Sequence, residues 1–366
     1  MLSPVEVRHR IHANPELMFE EFQTTELLVE QLQDLEGITI HRPLPTGLVI
    51  EYKVNDGPFI LFRGDMDALP IKEETGVPFA SQNDYMHACG HDVHTSNLYA
   101  FLLEVLAQKL NKNVLFLFQP GEEGGGGAQR IIDSGILDKF NISRAVALHV
   151  TDDYPLGTIA TTNGVLFAAA IEINIDVRGK SAHVAFPENG KNALKSLRKT
   201  LDRIDNFIEN LEGVVLFGNG KLTSGTARNI IPSQARAECT LRTLSAERQQ
   251  SIISEIRKLA ETTDSEIGTA TSFSFSVPFT EVVVDSALYN AGVNALKNDF
   301  EVIDCGYKLT AEDFGLLSKK YPAFMFWMGT STGEKHGLHT PLFFPPDSTL
   351  EYGTRAFKLL LDSLAV

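Results

Sequence analysis

The densest grouping of reactive side chains is Met86-His87-Ala88-Cys89-Gly90-His91-Asp92-Val93-His94. Three histidines, a thiol and a carboxylate within nine positions are the donors that bind borderline divalent ions. The rival chemistry is a Cys–His pair attacking a carbonyl, and the inert alternative is a polar loop around a buried cysteine. Carboxylates elsewhere weigh mildly against the nucleophile, because they would oppose formation of its thiolate. Glu122-Glu123 is the second element. Neighbours in an extended loop point to opposite sides, so one carboxylate can bind an ion while the other faces water as a general base. The glycine run 124–127 that follows is poor material for a phosphate cradle, since no Lys-Ser/Thr comes after it and two acids precede it.

Single residues add to these two groups. His149 ends an apolar run, where a satisfied core histidine is the ordinary explanation, and His339 lies in the loop Lys335-His336-Gly337-Leu338-His339-Thr340-Pro341. Asp65 and Asp67 are open to three roles: ligand, orienter of a ligand histidine, or strand-end cap. Farther on, His183 and Asn229 could donate to a developing oxyanion and Arg242 could fork onto a carboxylate, although each taken alone has the character of a surface residue.

The elements that must position these groups have two textures. Apolar runs at 59–62, 114–118 and 145–150 lack polar alternation and suit strands buried on both faces, with a helix over 95–110 between the first two. Asp65 and Asp67 follow the first run, Glu122 and Glu123 the second, and His149 closes the third. Ligands of open α/β sheets bind beyond the carboxyl ends of the strands, which makes these groups candidates for one site. The middle of the chain differs. Ile171, Ile173, Ile175 and Val177 alternate with polar residues, and Leu194, Leu197, Leu201, Ile204, Ile208 and Leu211 form a helical stripe. Strands at 214–222 and 234–242, a helix at 246–262 and a strand at 273–277 complete a βαββαβ unit. After residue 278 the first texture returns, with a helix at 286–296, a strand at 323–328 and a closing helix at 350–364. The expected organisation is a discontinuous metal-binding catalytic domain, 1–166 and 279–366, interrupted by an inserted domain at 167–278.

Composition bounds the function. The 366 residues carry 32 Lys+Arg against 47 Asp+Glu, a formal charge of -15 that would repel a phosphate backbone, so nucleic acid is excluded as a partner. No segment reaches the ~18 consecutive apolar residues of a membrane span, and 1–16 has no continuous apolar core, so a cytoplasmic chain without membrane contact is expected. Cys89, Cys239 and Cys305 are odd in number and widely spaced, which is poor material for disulfides.

Taken together, these motifs resemble one family nearly end to end. They run from Arg10-Ile11-His12-Ala13-Asn14-Pro15-Glu16-Leu17 through Arg63-Gly64-Asp65-Met66-Asp67-Ala68-Leu69-Pro70 and the Met86 to His94 block. They continue with Gln119 to Glu123, His149, Gly179 to Pro187, Asn229 to Pro232, Glu312-Asp313-Phe314 and His339. The family is that of the dinuclear metallopeptidases and amidohydrolases, which includes hippurate hydrolase, aminoacylases, indole-acetyl-amino-acid hydrolases and N-acetyldiaminopimelate deacetylase. The cysteine–histidine block followed by paired glutamates is highly specific; the later motifs singly are weak. Gly64, Gly121, Cys239 and Ala311 depart from the commoner pattern, and none of them removes a ligand.

The resemblance implies a zinc-peptidase-like α/β fold, mainly parallel, with the insert as a ferredoxin-like lid and dimerisation domain. It implies two divalent ions held by Cys89, His91, Glu123, His149 and His339, with Glu122 as general base and Asp67 as the acid behind the ligands. Zinc, manganese, cobalt and nickel all suit such donors. His183, Asn229 and Arg242 would bind substrate from the lid, which would close about hinges near 164–167 and 278–280. The activity implied is hydrolysis of the amide bond of a small N-acyl amino acid, N-acetyldiaminopimelate among the candidates, by a homodimer. Dipeptidase or carboxypeptidase action is the alternative within enzymes. A non-catalytic binder of amino-acid conjugates is the alternative outside them, although a binder has no use for a general base.

Overall fold

The computed structural model describes residues 1–364. The first stretch carries helices α1 (Pro4–Ala13) and α2 (Phe22–Leu32), strands β1 (Ile38–His41), β2 (Leu48–Tyr52) and β3 (Phe59–Asp65), then α3 (His91–Gln108), β4 (Asn113–Gln119), α4 (Gly127–Asp133), β5 (Ile142–Pro155), β6 (Ile159–Thr161) and β7 (Gly164–Phe167). The middle carries β8 (Ala169–Arg178), β9 (Ala182–His183), α5 (Ala193–Glu209), β10 (Val215–Ser224), β11 (Ile230–Ile231), β12 (Gln234–Thr243), α6 (Ala246–Ile267) and β13 (Ala270–Phe275). The chain ends with β14 (Val282–Val284), α7 (Ser286–Leu296), β15 (Val302–Asp304), α8 (Gly315–Lys320), β16 (Ala323–Ser331) and α9 (Thr349–Leu364).

Two compact units result, one of Met1–Leu166, Val282–Tyr307 and Asp313–Val366, the other of Phe167–Glu281 and Lys308–Glu312. In the first unit an eight-stranded sheet runs β1-β2-β4-β3-β5-β16-β6-β15. Its inner strands β4, β3, β5 and β16 are mutually parallel, while β1, β2 and β6 pair antiparallel on the flanks. The sequence explains the inner strands. Every residue of β3 and β4 is buried, as a strand covered on both faces requires, and both read as near-continuous apolar runs. The parallel connection from β3 to β4 is made by α3, which buries residues on most of its circumference, Val93, Leu98, Phe101, Leu102 and Val105 among them.

The start of α3 differs from the sequence expectation. It begins at His91 rather than near 95, because Gly90 sits at its N-cap with φ +82 and turns the chain into the helix without a side-chain cap. A Cβ at position 90 would lie 2.3 Å from Val150 Cγ2, so only glycine meets both the backbone angle and the space. Strand β5 also runs farther than expected, to Pro155, which places His149 inside the strand and leaves a polar extension beyond it.

The second unit contains the βαββαβ order, with its sheet arranged β10-β12-β8-β13 and antiparallel throughout. Ile171, Ile173, Ile175 and Val177 pack with Leu197, Leu201 and Ile204 of α5 and with Ile252, Ile253 and Ile256 of α6 in a core of its own. This unit ends at Glu281 rather than near 278 and recruits the short segment 308–312. The segment's carbonyls carry the recruitment: Ala168 N donates to Lys308 O at 3.1 Å and to Thr310 O at 3.0 Å, and the Arg242 side chain donates to Leu309 O. Among the described residues no helix is long and apolar enough to cross a membrane.

Candidate metal centre

The parallel strands deliver their carboxyl ends to one region, and the chain places a reactive group at each. Asp67 follows β3, Glu122 and Glu123 follow β4, His149 lies in β5, and His339 follows β16. Cys89 and His91 arrive from the loop that opens α3.

Asp67 is the pin of the arrangement. Its buried carboxylate accepts the backbone N–H of Glu122 at 3.1 Å and of Glu123 at 2.8 Å, and faces His91 Nδ1 at 3.3 Å. With Nδ1 turned to Asp67, His91 Nε2 is buried and makes no hydrogen bond, and it lies 3.9 Å from Glu123 Oε1. His149 is oriented in the same manner, its Nδ1 donating to Val150 O at 2.8 Å and its Nε2 lying 3.4 Å from Cys89 Sγ. His339 Nε2 approaches the same sulfur at 3.2 Å and Glu123 Oε1 at 3.3 Å. Donor atoms of Cys89, His91 and His149, of Cys89, Glu123 and His339, and of His91, Glu122 and Glu123 each lie within 4.8 Å of one another.

The donor set therefore suits divalent cations, and Cys89 belongs to two of these three groups. The His91 and His149 imidazoles are each held through Nδ1 and present Nε2, which is how second contacts fix ligand tautomers. The electrostatics agree. Burial, then Glu123 and Glu122, push the Cys89 thiol well above its ordinary range. Burial keeps His149 neutral, well below the usual imidazole range, with His94 adding to the effect. Burial opposes charge on His91, yet Asp65, Asp67 and Glu123 outweigh it and hold the ring up at about 10. A divalent cation would supply the positive charge that these carboxylates otherwise draw onto an imidazole.

His94 has no assigned role by residue type alone, and Asp65 is open to three. His94 Nδ1 meets Asp65 Oδ1 at 2.5 Å and its Nε2 accepts the Val150 N–H at 2.9 Å, so both nitrogens are satisfied and the ring braces the strand beside His149. Asp65 is also paired with Arg63 at 2.6 Å. These two are supports rather than free donors. His94 stands three residues after His91 on one helix face, which is the signal that could have found it.

In the second unit His183 of β9 pairs in register with Ile230 of β11, and Val184 N donates to Asn229 O at 3.0 Å, so His183 and Asn229 share one exposed corner. Arg242, on β12, is half-buried and donates to Leu309 O at 2.7 Å.

Comparisons with known proteins identify the family. The model of the peptidase family M20/M25/M40 matches residues 61–363. An N-acetyldiaminopimelate deacetylase of Geobacillus thermodenitrificans is 34% identical over 372 residues, covering 99% of this chain and 97% of the relative. One from Bacillus pumilus is 34% identical over 361 residues, covering 95% and 94%. Among solved structures, the YXEP protein of Bacillus subtilis, described as a dinuclear metal binding peptidase from the M20 family, is 30% identical with a TM-score of 0.85, covering 99% of this chain and 98% of that one. With a family match that spans both halves of the sheet and relatives that cover nearly the whole length, the chain belongs to the peptidase family M20/M25/M40.

Proposed function

We propose that this protein, a metal-dependent amidohydrolase by its family, removes the acyl group from an N-acyl amino acid, with N-acetyldiaminopimelate as the leading substrate. The observation that carries the reading is the Asp67 carboxylate. By holding His91, Glu122 and Glu123 at once, it sets ligand candidates and a base candidate from separate parts of the chain against one another. The names of the relatives support the substrate.

In this reading Cys89, His91, Glu123, His149 and His339 hold two divalent ions, drawn from zinc, manganese, cobalt or nickel. When bound, the ions supply polarisation of the amide carbonyl and a lower pKa for water. Glu122 takes the proton of the attacking water and passes it to the departing amine. Asp67 keeps the ligand ring and both glutamate amides in place. His183 steadies the developing oxyanion with Asn229 beside it, and Arg242 holds the free α-carboxylate of the substrate. The second unit closes over substrate as a lid and joins two copies in a homodimer. Support for pairing comes from β10, which ends its sheet with one edge unpaired and carries exposed Leu216 and Leu222. The partners are thus a small molecule and a second copy of the chain, in the cytoplasm.

The test is metal content together with hydrolysis of N-acetyldiaminopimelate, other N-acetyl and benzoyl amino acids, and dipeptides. It is run before chelation, after chelation, and after each of the four metals is restored. Activity that is lost and recovered, with an N-acyl amino acid preferred, is the expected result. Preference for dipeptides would replace the deacylase with a dipeptidase, and bound metal without turnover of any substrate would favour a binder.

A further inference from the structure

His339 is the most exposed of the proposed ligands, with 51% of its side chain open to solvent, and residues 332–336 leading to it are exposed as well. Packing therefore does little to fix its approach to Cys89. Hydrogen bonds fix the loop instead: Lys335 Nζ donates to Asp153 O at 2.7 Å and Thr340 Oγ1 to Gly337 O at 2.9 Å, and two further contacts bear on its backbone amides. One is the His339 N–H, which donates to Ala88 O at 2.8 Å. The other is Asp152, a residue 7% exposed on the polar extension of β5, whose Oδ2 accepts the consecutive N–H groups of His336 at 2.6 Å and Gly337 at 2.8 Å. Among the described residues Asp152 forms no salt bridge, so these two amides are what its buried carboxylate serves. His339 at φ +61 is a non-glycine residue in the left-handed region, the kind of backbone that persists only where its surroundings over-determine it.

From this geometry we infer that Asp152 is a positioning residue for one of the two metal subsites: it clamps the loop so that His339 Nε2 faces the Cys89 sulfur. The inference rests on the ligand assignment proposed above. Strand β5 then serves the centre twice, through His149 directly and through Asp152 three residues later. Two charge-assisted bonds to one oxygen form a small anion nest, and their loss removes the one side-chain acceptor that holds the consecutive amides of His336 and Gly337.

The test compares the wild type with Asp152→Ala, Asp152→Asn, His339→Ala and the double variant Asp152→Ala/His339→Ala. Each is stripped of metal and titrated with zinc in a calorimeter and with cobalt by visible absorption. Circular dichroism and urea midpoints establish that each variant is folded. Asp152→Ala is expected to weaken one of the two binding events about 10- to 100-fold and to alter the cobalt band of that site, leaving the other event unchanged. Asp152→Asn, which keeps a carbonyl oxygen for the two amides, should recover most of the loss. In the His339→Ala background Asp152→Ala should add nothing. Undisturbed binding in Asp152→Ala, equal weakening of both events, or the same loss with and without His339 overturns the clamp alone. Normal binding of two ions by His339→Ala overturns the ligand assignment and the clamp with it.

Discussion

At the scale of single residues the division of labour between two adjacent glutamates can be tested directly. Glu123 Oε1 lies among His91, His339 and Cys89, whereas Glu122 Oε1 accepts the Asp313 N–H at 3.4 Å. Glu122→Gln should keep the wild-type metal content while lowering turnover by about 10²- to 10⁴-fold, the usual worth of a general base. Near-normal turnover would remove Glu122 from that role. A second residue-scale prediction concerns His12, whose Nδ1 faces Asp92 at 3.0 Å and whose Nε2 faces Glu73 at 3.1 Å in a buried pair of contacts. Burial opposes its charge, but Asp92 and Glu73 prevail and raise it from 6.5 to about 9. A raised folded-state pKa gives stability that is complete below about 6.5 and lost as the pH climbs through about 9. That contribution is on the order of 3 kcal/mol. Urea midpoints at pH 6 and pH 9.5 should therefore converge in His12→Gln relative to the wild type, and an unchanged pH dependence would assign the effect to another group. The density of donors between His87 and His94 made the centre legible in the sequence. Asp152 was not legible, because it acts on backbone amides of His336 and Gly337, which leave no trace in residue type.

At the scale of elements, Gly90 decides where α3 begins and thereby where Cys89 and His91 stand. Gly90→Ala would force a methyl against Val150 Cγ2 at a φ of +82, and about 1–3 kcal/mol of stability should be lost together with metal affinity. Urea unfolding and metal titration of the variant check both, and a variant unchanged in both would show that the helix start is fixed by other contacts. The same glycine hides the helix start from the sequence. A left-handed residue without a side-chain cap leaves no Ser, Thr, Asp or Asn to mark the N-terminus. Strands β3 and β4 were legible because burial on both faces writes a continuous apolar run. Strand β6, three residues long, and β15, likewise three, are too short to carry a period and were not found.

At the scale of the whole molecule, the change from runs to alternation near residue 170 marked the insert, because a one-faced sheet and a two-faced sheet need different patterns. The return of segment 308–312 to the inserted unit was invisible for the reason that hid Asp152: its backbone carbonyls accept from the Ala168 N–H and the Arg242 guanidinium, which leaves no trace in the segment's own residue types. This partition has a thermodynamic consequence. Every proposed metal ligand lies in the unit built from 1–166, 282–307 and 313–366, while the other unit contains none of them and has its own apolar core. A ligand that binds only the native state stabilises by RT ln(1 + [L]/Kd), about 4 kcal/mol at a thousandfold excess over Kd, and this should fall on the metal-holding unit alone. Scanning calorimetry should accordingly show one transition that drops on chelation by on the order of 10 °C and one that stays. His339→Ala should lower the first transition in the presence of metal and leave the second in place. A single transition that moves with chelator would mean that the units unfold as one cooperative body; two transitions of which neither moves would show that ions contribute no stability to the unit that holds Cys89.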